Sequence, residues 1–238
     1  MKSVDLSDKQ SRYLLFGASV LITLALFYAP YGRLLGFPLL LVSTVAHEVG
    51  HGLAAVLVGG NFGRLYIHAD SSGLAAVGGF SGRISSALVA AGGLIGPACA
   101  AAACFVVARS APAARIGLQV IGALALALVP LAVRNVFGAI YVFTLGAGLL
   151  VLGRKASPRG AQVALVFLAV QLSLSVFSRS DYLFTPGTSD VGAIESALFL
   201  PYWFWGAVCG GFSVVVLAIG AFAFLRGRGL AGGRGAEV

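Results

Sequence analysis

The sequence predicts an all-α membrane protein, a polytopic bundle of six or seven transmembrane helices with one short β-hairpin-like loop. Composition is the first observation behind this class: 59% of the 238 residues are hydrophobic and 10% are charged, whereas a soluble domain carries about 25% charged residues. The second observation is that apolar runs close to the roughly 20 residues needed to cross a bilayer recur between short polar breaks. We therefore expect a multi-pass integral protein of the cell membrane.

Three parts can be distinguished along the chain. Residues 1–12 are expected to form a cytoplasmic N-terminal segment, residues 13–225 the integral membrane domain, and residues 226–238 a disordered, glycine-rich tail. The apolar run 13–30 exceeds the about 7–15 residues of a signal-peptide core, and no small-x-small cleavage site follows it. We interpret this run as a retained first helix.

Seven apolar runs are candidate membrane spans. They cover residues 13–30, 35–58, 84–108, 116–133, 136–152, 161–177 and 201–225. Pro130, Arg134 and Asn135 interrupt the fourth and fifth runs, so this region is either two tightly connected helices or one spanning helix with a re-entrant piece. For this reason the prediction is six or seven crossings.

Basic residues give the expected orientation. Lys2, Lys9 and Arg12 favour a cytoplasmic N-terminus, so the second helix would run from outside to inside and the loop 59–83 would be cytoplasmic. The basic residues between the fifth and sixth runs and those in the C-terminal tail also favour the cytoplasm. Together they suit six crossings better than seven.

One segment lacks a helical pattern. Within residues 61–83, RLYIH and LAAVGGF contain β-forming residues and flank the turn sequence ADSSG, which is typical of a hairpin. This hairpin either binds an extended substrate strand at its edge or is a simple surface loop.

The sequence HEVGH, residues 47–51, is the most specific chemical signal. Positions i and i+4 of a helix point to nearly the same side, so His47 and His51 can bind one Zn²⁺ while Glu48 acts as general base on a metal-bound water. Ionisable residues inside an apolar membrane segment are usually functional, because inserting them costs free energy. The third histidine, His68, is interpreted as a surface residue of the hairpin.

A catalytic zinc usually has a third protein ligand. Three acidic residues, Asp181, Asp190 and Glu195, lie between the sixth and seventh runs. Thr188 and Ser189 can cap a helix that begins near Asp190, where a carboxylate is stabilised by the helix dipole, so Asp190 is either a ligand or a plain capping residue. Asp181 is a similar candidate for the ligand, and Glu195 is expected to be an exposed helix residue.

Together these features resemble the site-2 protease class of intramembrane zinc metalloproteases, peptidase family M50, and within it the M50B-like branch. The resemblance covers residues 35–225. The elements that carry it occur in the family's order: the HEVGH helix, the glycine-rich segment Gly92–Pro97, the RNVFG stretch Arg134–Gly138, the pair Ser189–Asp190, and a final helix with Trp203 or Trp205. The chain lacks the Asn-Pro-x-x-x-Leu-Asp-Gly type motif that carries the aspartate ligand in better-known members.

The resemblance implies a zinc metalloendopeptidase that hydrolyses peptide bonds in or near transmembrane segments of membrane proteins. By this resemblance His47 and His51 are zinc ligands, Glu48 is the general base and Asp190 is the third ligand, with Asp181 as the rival for that position. The expected partners are membrane-protein substrates and the lipid bilayer. The oligomeric state is left open.

Two other functions fit the same sequence features. A noncatalytic membrane scaffold or chaperone would bind transmembrane partners, but a structural metal site has no need for a base such as Glu48. A metal or solute transporter would use the histidines and an aspartate as a transit site. Such a route needs more polar residues in several helices, and the chain has few beyond Gln119, Asn135 and Gln171.

Charge argues against nucleic-acid binding, and cysteine content argues against a disulfide framework or a cysteine zinc site. The net charge is +8, but the basic residues are scattered through short polar breaks, where anionic headgroups explain them better than nucleic acid does. Cys99, Cys104 and Cys209 lie in apolar segments without a CxxC motif, so we interpret them as buried small hydrophobic residues. Small residues such as Gly50 and Gly92 predict close packing between the second and third spans.

Overall fold

The structure, a computed structural model, describes residues 8–178 and 184–227. Within these residues the helices are α1 (Asp8–Tyr28), α2 (Gly32–Leu57), α3 (Arg83–Val107), α4 (Ala111–Leu131), α5 (Val136–Lys155), α6 (Pro158–Ser178), α7 (Asp190–Leu198) and α8 (Tyr202–Arg226), and the strands are β1 (Asn61–Ile67) and β2 (Gly73–Gly78). Six described helices, α1 to α5 and α8, are long and apolar enough to cross a membrane. The predicted polytopic helical bundle with one hairpin is confirmed.

Helix α3 lies at the centre of the bundle and packs against α2, α6, α7 and α8. Its contact with α2 is very close, because a Cβ atom on Gly50 would overlap the backbone carbonyl of Gly92, and one on Gly96 would lie 2.9 Å from the Ala46 oxygen. Glycine thus allows the two backbones to approach directly. The predicted close packing of these two helices is confirmed.

The ambiguous region around residue 133 forms two antiparallel helices, α4 and α5. Away from the junction that connects the two helices, the Arg115 Nε atom donates to the Gly153 oxygen at 3.2 Å. Between these points, a Cβ atom on Gly122 would lie 2.7 Å from the Gly146 oxygen. Pro130 is accommodated inside α4 one residue before its end. The two-helix alternative is therefore correct, and no re-entrant piece occurs here.

The predicted hairpin is confirmed, with β1 and β2 antiparallel from the pair Asn61–Gly78 to the pair Ile67–Gly73. Its tip is closed by the Asp70 carboxylate, which accepts hydrogen bonds from the Ser72 hydroxyl at 2.6 Å and the Ser72 N–H at 2.9 Å. These two bonds hold the pKa of Asp70 below its ordinary value. His68 is exposed beside this tip.

The outer edge of β1 is occupied by the junction between α4 and α5. The Leu65 N–H donates to the Ala132 oxygen at 2.8 Å, and the Arg134 N–H donates to the Leu65 oxygen at 3.0 Å. Leu65 itself is fully buried. The hairpin is thus fastened through β1, and β2 is left with an edge that faces α2.

One end of the bundle, which we name the basic end, contains the starts of α1, α4 and α6 and the ends of α3, α5 and α8. The Arg12 guanidinium donates to the Phe224 oxygen at 3.0 Å and to the Arg109 oxygen at 3.1 Å. The Gln162 amide donates to the Ala108 oxygen at 2.7 Å. The hairpin lies at the opposite end, which we name the hairpin end.

This arrangement corrects the predicted orientation. The start of α1 lies at the basic end, whereas the α2 terminus and the loop 59–83 lie at the hairpin end, so the loop and the N-terminal Arg12 are on opposite sides. Each of α1 and α2 is long enough to span a membrane. Together, however, they make one net passage from the basic end to the hairpin end. The turn that joins them contains Tyr31 at a positive φ of 63°. The start of α1 and the end of α8 share the basic end, in agreement with six crossings rather than seven.

The cysteine prediction is confirmed for Cys104 and Cys209, which are buried, and is wrong for Cys99, which is exposed on the surface of α3. An apolar helix surface that faces lipid accommodates a thiol as readily as a protein interior does. The predicted segment 1–12 and tail 226–238 lie largely outside the described residues, as does Asp181.

Candidate metal centre

Helix α2 carries the HEVGH residues near the hairpin end of the bundle. Because His47 and His51 are one helical turn apart, their rings meet edge to face with centroids 4.8 Å apart. Their Nε2 atoms are separated by 3.2 Å. Local helical geometry thus suffices to place two imidazole nitrogens beside one another.

Helix α7 brings Asp190 to these two nitrogens. Ser189 is the N-cap residue of α7, and its hydroxyl accepts a hydrogen bond from the Gly192 N–H at 3.2 Å, as the sequence predicted. The Asp190 carboxylate then lies 3.1 Å from the His47 Nε2 atom and 3.4 Å from the His51 Nε2 atom. One ligand atom from each of the three residues lies within 4.8 Å of the others.

The other acidic candidates of this segment are placed differently or not described. Glu195 belongs to α7 and is half-buried rather than exposed, because the short helix packs against α3 and α8. Asp181 lies outside the described residues, so its candidacy as a ligand is not addressed by the geometry.

A backbone carbonyl of α3 orients His51. The Val89 oxygen lies 2.8 Å from the His51 Nδ1 atom, and because a carbonyl can only accept, the proton belongs on Nδ1 and the Nε2 lone pair is free for a metal. Gly93 makes room for the ring, since a Cβ atom at this position would overlap the His51 Nε2 atom. The sequence suggested close helix packing at these glycines but not this role.

Strand β2 holds Glu48. Glu48 is 7% exposed, and its Oε2 atom accepts a hydrogen bond from the Ala75 N–H at 2.7 Å. A Cβ atom on Gly73 would lie 2.7 Å from the Glu48 Cγ atom, so a glycine is needed where the carboxylate crosses the strand. Glu48 is consequently positioned beside the three ligand candidates without being one of them.

Asn135 supports this arrangement from the far side of the hairpin. Its Oδ1 atom accepts from the Ile67 N–H at 3.2 Å, and its Nδ2 group donates to the Ile67 oxygen at 2.6 Å. The side-chain amide therefore continues the backbone pairing of β1. Asn135 thus hydrogen-bonds within the bundle.

A cavity of about 390 Å³ opens onto these groups. Its polar lining includes His47, Glu48, His51 and Asp190, and its wall contains the outer edge of β2. None of the described residues that line it is a lysine or arginine. Two carboxylates thus share an enclosed site without a cationic side chain, a charge distribution that a divalent cation would balance.

The donor set fits a zinc ion. Two imidazole nitrogens and one carboxylate oxygen are the ligand types of catalytic zinc sites, which leave a further position open for water or substrate. The side of the cluster that faces the cavity would provide that position if a zinc ion were bound. Glu48 lies next to it, as a general base requires.

Comparison with known proteins gives one family match. Residues 17–220 match the family model described as Peptidase M50B-like. Searches of curated proteins and of solved structures gave no match. The family match includes both the helix that carries HEVGH and the helix that carries Asp190.

Proposed function

The chain belongs to the Peptidase M50B-like family, and from this premise we propose that it is an intramembrane zinc metalloprotease of the cell membrane, hydrolysing peptide bonds in or near transmembrane segments of other membrane proteins. One observation carries the proposal. The three potential ligand residues converge within 4.8 Å, while a separate carboxylate, Glu48, is held beside them by a backbone hydrogen bond. A purely structural metal site does not need such a base.

His47, His51 and Asp190 would hold the zinc ion. When bound, zinc supplies a Lewis acid that lowers the pKa of a coordinated water toward 7 and polarises the scissile carbonyl. The Val89 carbonyl keeps His51 in the tautomer that ligates through Nε2. Asp190 is held at the start of a short capped helix, which limits its movement toward other partners.

Glu48 would transfer the proton. Its Oε2 atom is engaged by the Ala75 N–H, which leaves Oε1 to take a proton from the attacking water and to return it to the nitrogen of the leaving amine. The hydrogen bond to β2 fixes the direction in which Oε1 points. The base is therefore oriented by the hairpin rather than by α2 alone.

Strand β2 offers a binding edge for an extended substrate segment. Leu65 pairs with Ala75 in the sheet and directs its own N–H away from β2, so the backbone groups of Gly73, Ala75 and Val77 point away from β1 in turn. All three residues line the cavity. Because the amides of a helix are already hydrogen-bonded, a transmembrane substrate must unwind locally, and the unwound segment would pair with the outward groups of this edge other than the Ala75 N–H, which is bound to Glu48.

The test is zinc content and hydrolysis in detergent-purified protein. We expect close to one zinc per chain in the wild type, a loss of zinc in His47→Ala and Asp190→Ala, and retained zinc in Asp181→Ala. Glu48→Gln should keep its zinc and lose hydrolysis of membrane-protein substrates by about 10²-fold or more, since it removes only the proton acceptor. Zinc is measured by elemental analysis, and folding of each variant by circular dichroism.

Three outcomes would contradict the proposal in different ways. A folded wild-type protein that binds no zinc even after supplementation would favour the noncatalytic scaffold. Retention of zinc in Asp190→Ala with loss in Asp181→Ala would transfer the third ligand to Asp181. Equal hydrolysis by Glu48→Gln and the wild type would exclude Glu48 as the base.

A further inference from the structure

A second cavity, of about 410 Å³, lies at the basic end of the bundle, far from the metal centre along the helices. Three arginines line it, Arg12 from α1, Arg109 from the α3–α4 connection and Arg159 from the start of α6. Ser11, Ser110 and Gln162 add further polar groups to its wall. Nothing in the proposed proteolytic chemistry uses these residues.

Arg12 has a clear role in holding the wall together. It is 7% exposed, and its guanidinium donates to the backbone oxygens of Phe224 and Arg109. These oxygens lie at the C-terminal ends of α8 and α3, where the helix dipole favours a cation. The charge of Arg12 is thus partly balanced by the fold itself.

The charges of Arg109 and Arg159 are not balanced in this way. Among the side chains that the structure describes, no carboxylate forms an ion pair with either arginine, and neither guanidinium makes a hydrogen bond. Both residues are exposed and line the cavity. Helices α4 and α6 begin at the same cavity with no acidic residue in their first turns, which adds the positive ends of two helix dipoles.

The remaining wall of the cavity is apolar. This part of the wall is formed by Leu15, Ala111, Pro112 and Val163. Val163 is 48% exposed, so the apolar wall of the cavity includes helix surface that is accessible from outside the bundle. A free anion would make no favourable contact with this apolar wall, whereas a phospholipid presents a phosphate and acyl chains together.

We propose that this basic-end cavity binds the phosphate group of an anionic phospholipid, with Arg109 and Arg159 contacting the headgroup phosphate and the apolar wall contacting the glycerol and the first acyl carbons. Guanidinium groups suit phosphate because they donate paired, parallel hydrogen bonds. The position also fits the anionic lipids that attract basic residues at the cytoplasmic surface of a membrane. The bound lipid would join the starts of α4 and α6 to the end of α3.

The experiment compares lipid binding by native mass spectrometry and by thermal unfolding in detergent. The probe is phosphatidylglycerol, with phosphatidylcholine and inorganic phosphate as separate arms. The test variant is Arg109→Gln with Arg159→Gln, and Arg12 is left intact because it caps two helices. The matched control is Arg154→Gln with Lys155→Gln, which removes the same charge from the same end, since both residues are exposed and neither lines the cavity.

We expect bound phosphatidylglycerol to fall at least fivefold in the cavity variant and to change less than twofold in the control variant. Phosphatidylcholine should bind weakly to all proteins, and inorganic phosphate should not raise the unfolding temperature. Equal losses in both variants would overturn the proposal in favour of diffuse charge attraction. Stabilisation of the wild type by inorganic phosphate alone, lost in the cavity variant, would overturn the lipid assignment. Circular dichroism of each variant verifies that lost binding does not reflect unfolding.

Discussion

Two glycines beside the metal centre determine whether its side chains fit. Gly93 lies against the His51 ring and Gly73 against the Glu48 side chain. Neither glycine contributes a functional group. At each position, however, the neighbouring side chain occupies the space into which a Cβ atom would project. Their substitution therefore separates the two halves of the proposed chemistry, metal binding and proton transfer.

We predict different defects for the two alanine variants. Gly93→Ala should displace the His51 ring and weaken zinc binding about tenfold or more, as loss of an outer supporting contact commonly does. Gly73→Ala should leave zinc in place and lower kcat, because it displaces only the base. Zinc titration with a competing chelator and steady-state hydrolysis measure the two effects.

The control is Gly148→Ala on α5, where a Cβ atom would meet no atom within 4 Å. Alanine is the better helix former, so this variant should be unchanged or more stable by about 1 kcal/mol or less. If Gly93→Ala bound zinc as tightly as Gly148→Ala, the imidazole would have an alternative position and the argument from space would be wrong.

At the scale of elements, the hairpin connects the α4–α5 junction to the metal centre. Asn135 and the junction backbone hold the outer edge of β1, β1 pairs with β2, and β2 donates to Glu48 through Ala75. Each step is a hydrogen bond to or from a backbone group of the hairpin. The orientation of the base thus depends on a residue on the far side of the sheet.

We predict that Asn135→Leu loosens the hairpin and lowers kcat without removing zinc. The substitution leaves the buried N–H and carbonyl of Ile67 unpaired, at a cost of about 1–3 kcal/mol. Hydrogen exchange in residues 61–78 should accelerate about tenfold or more, since 1.4 kcal/mol of local stability corresponds to a factor of ten. Exchange by mass spectrometry and zinc analysis measure the two quantities.

Gln119→Leu is the matched control for this variant. The Gln119 side-chain amide also donates to a backbone oxygen, that of Gly153 at 2.9 Å, but at the basic end of the α4–α5 pair. The Gln119→Leu variant should leave both the hydrogen exchange of the hairpin and kcat unchanged. A fall in kcat of the same size in both variants would indicate a general loss of bundle stability instead of a role for Asn135 in positioning.

The whole molecule has a basic end and a hairpin end, and the metal centre lies nearer the latter. The start of α1 and the end of α8 meet at the basic end, and arginines at the termini of α3, α4, α5 and α6 join them there. The positive-inside rule predicts that this end faces the cytoplasm. The hairpin and the cavity above the metal centre then belong to the opposite half of the bilayer.

We predict opposite accessibility for two introduced cysteines in sealed membrane vesicles. With Cys99→Ser to remove the exposed native thiol, Ser157→Cys at the basic end should react with an impermeant maleimide only from the cytoplasmic face, and Ser81→Cys at the hairpin end only from the other face. Both serines are exposed. Labelling of both cysteines from one face would contradict the three passages that α3, α4 and α5 make between the two serines.

Local patterns sufficed for much of this protein. The apolar runs predicted the membrane bundle because helix length and hydrophobicity are properties of contiguous sequence. The hairpin followed from β-forming residues around a turn sequence, and the pairing of His47 with His51 from the period of a helix. The N-cap of α7 at Ser189 could also be predicted from the sequence immediately around it.

Only the tertiary structure decided the features that depend on residues distant in sequence. It brings Asp190 to residues 47–51 across more than half of the chain, and it gives Glu48 a partner in Ala75. Counting basic residues along the chain placed the loop 59–83 on the same side as the N-terminus, because such counting treats each apolar run as one crossing, whereas the structure places the loop and Arg12 at opposite ends of the bundle. Hydrophobicity specifies that a segment lies in the membrane, whereas packing determines its direction and its neighbours.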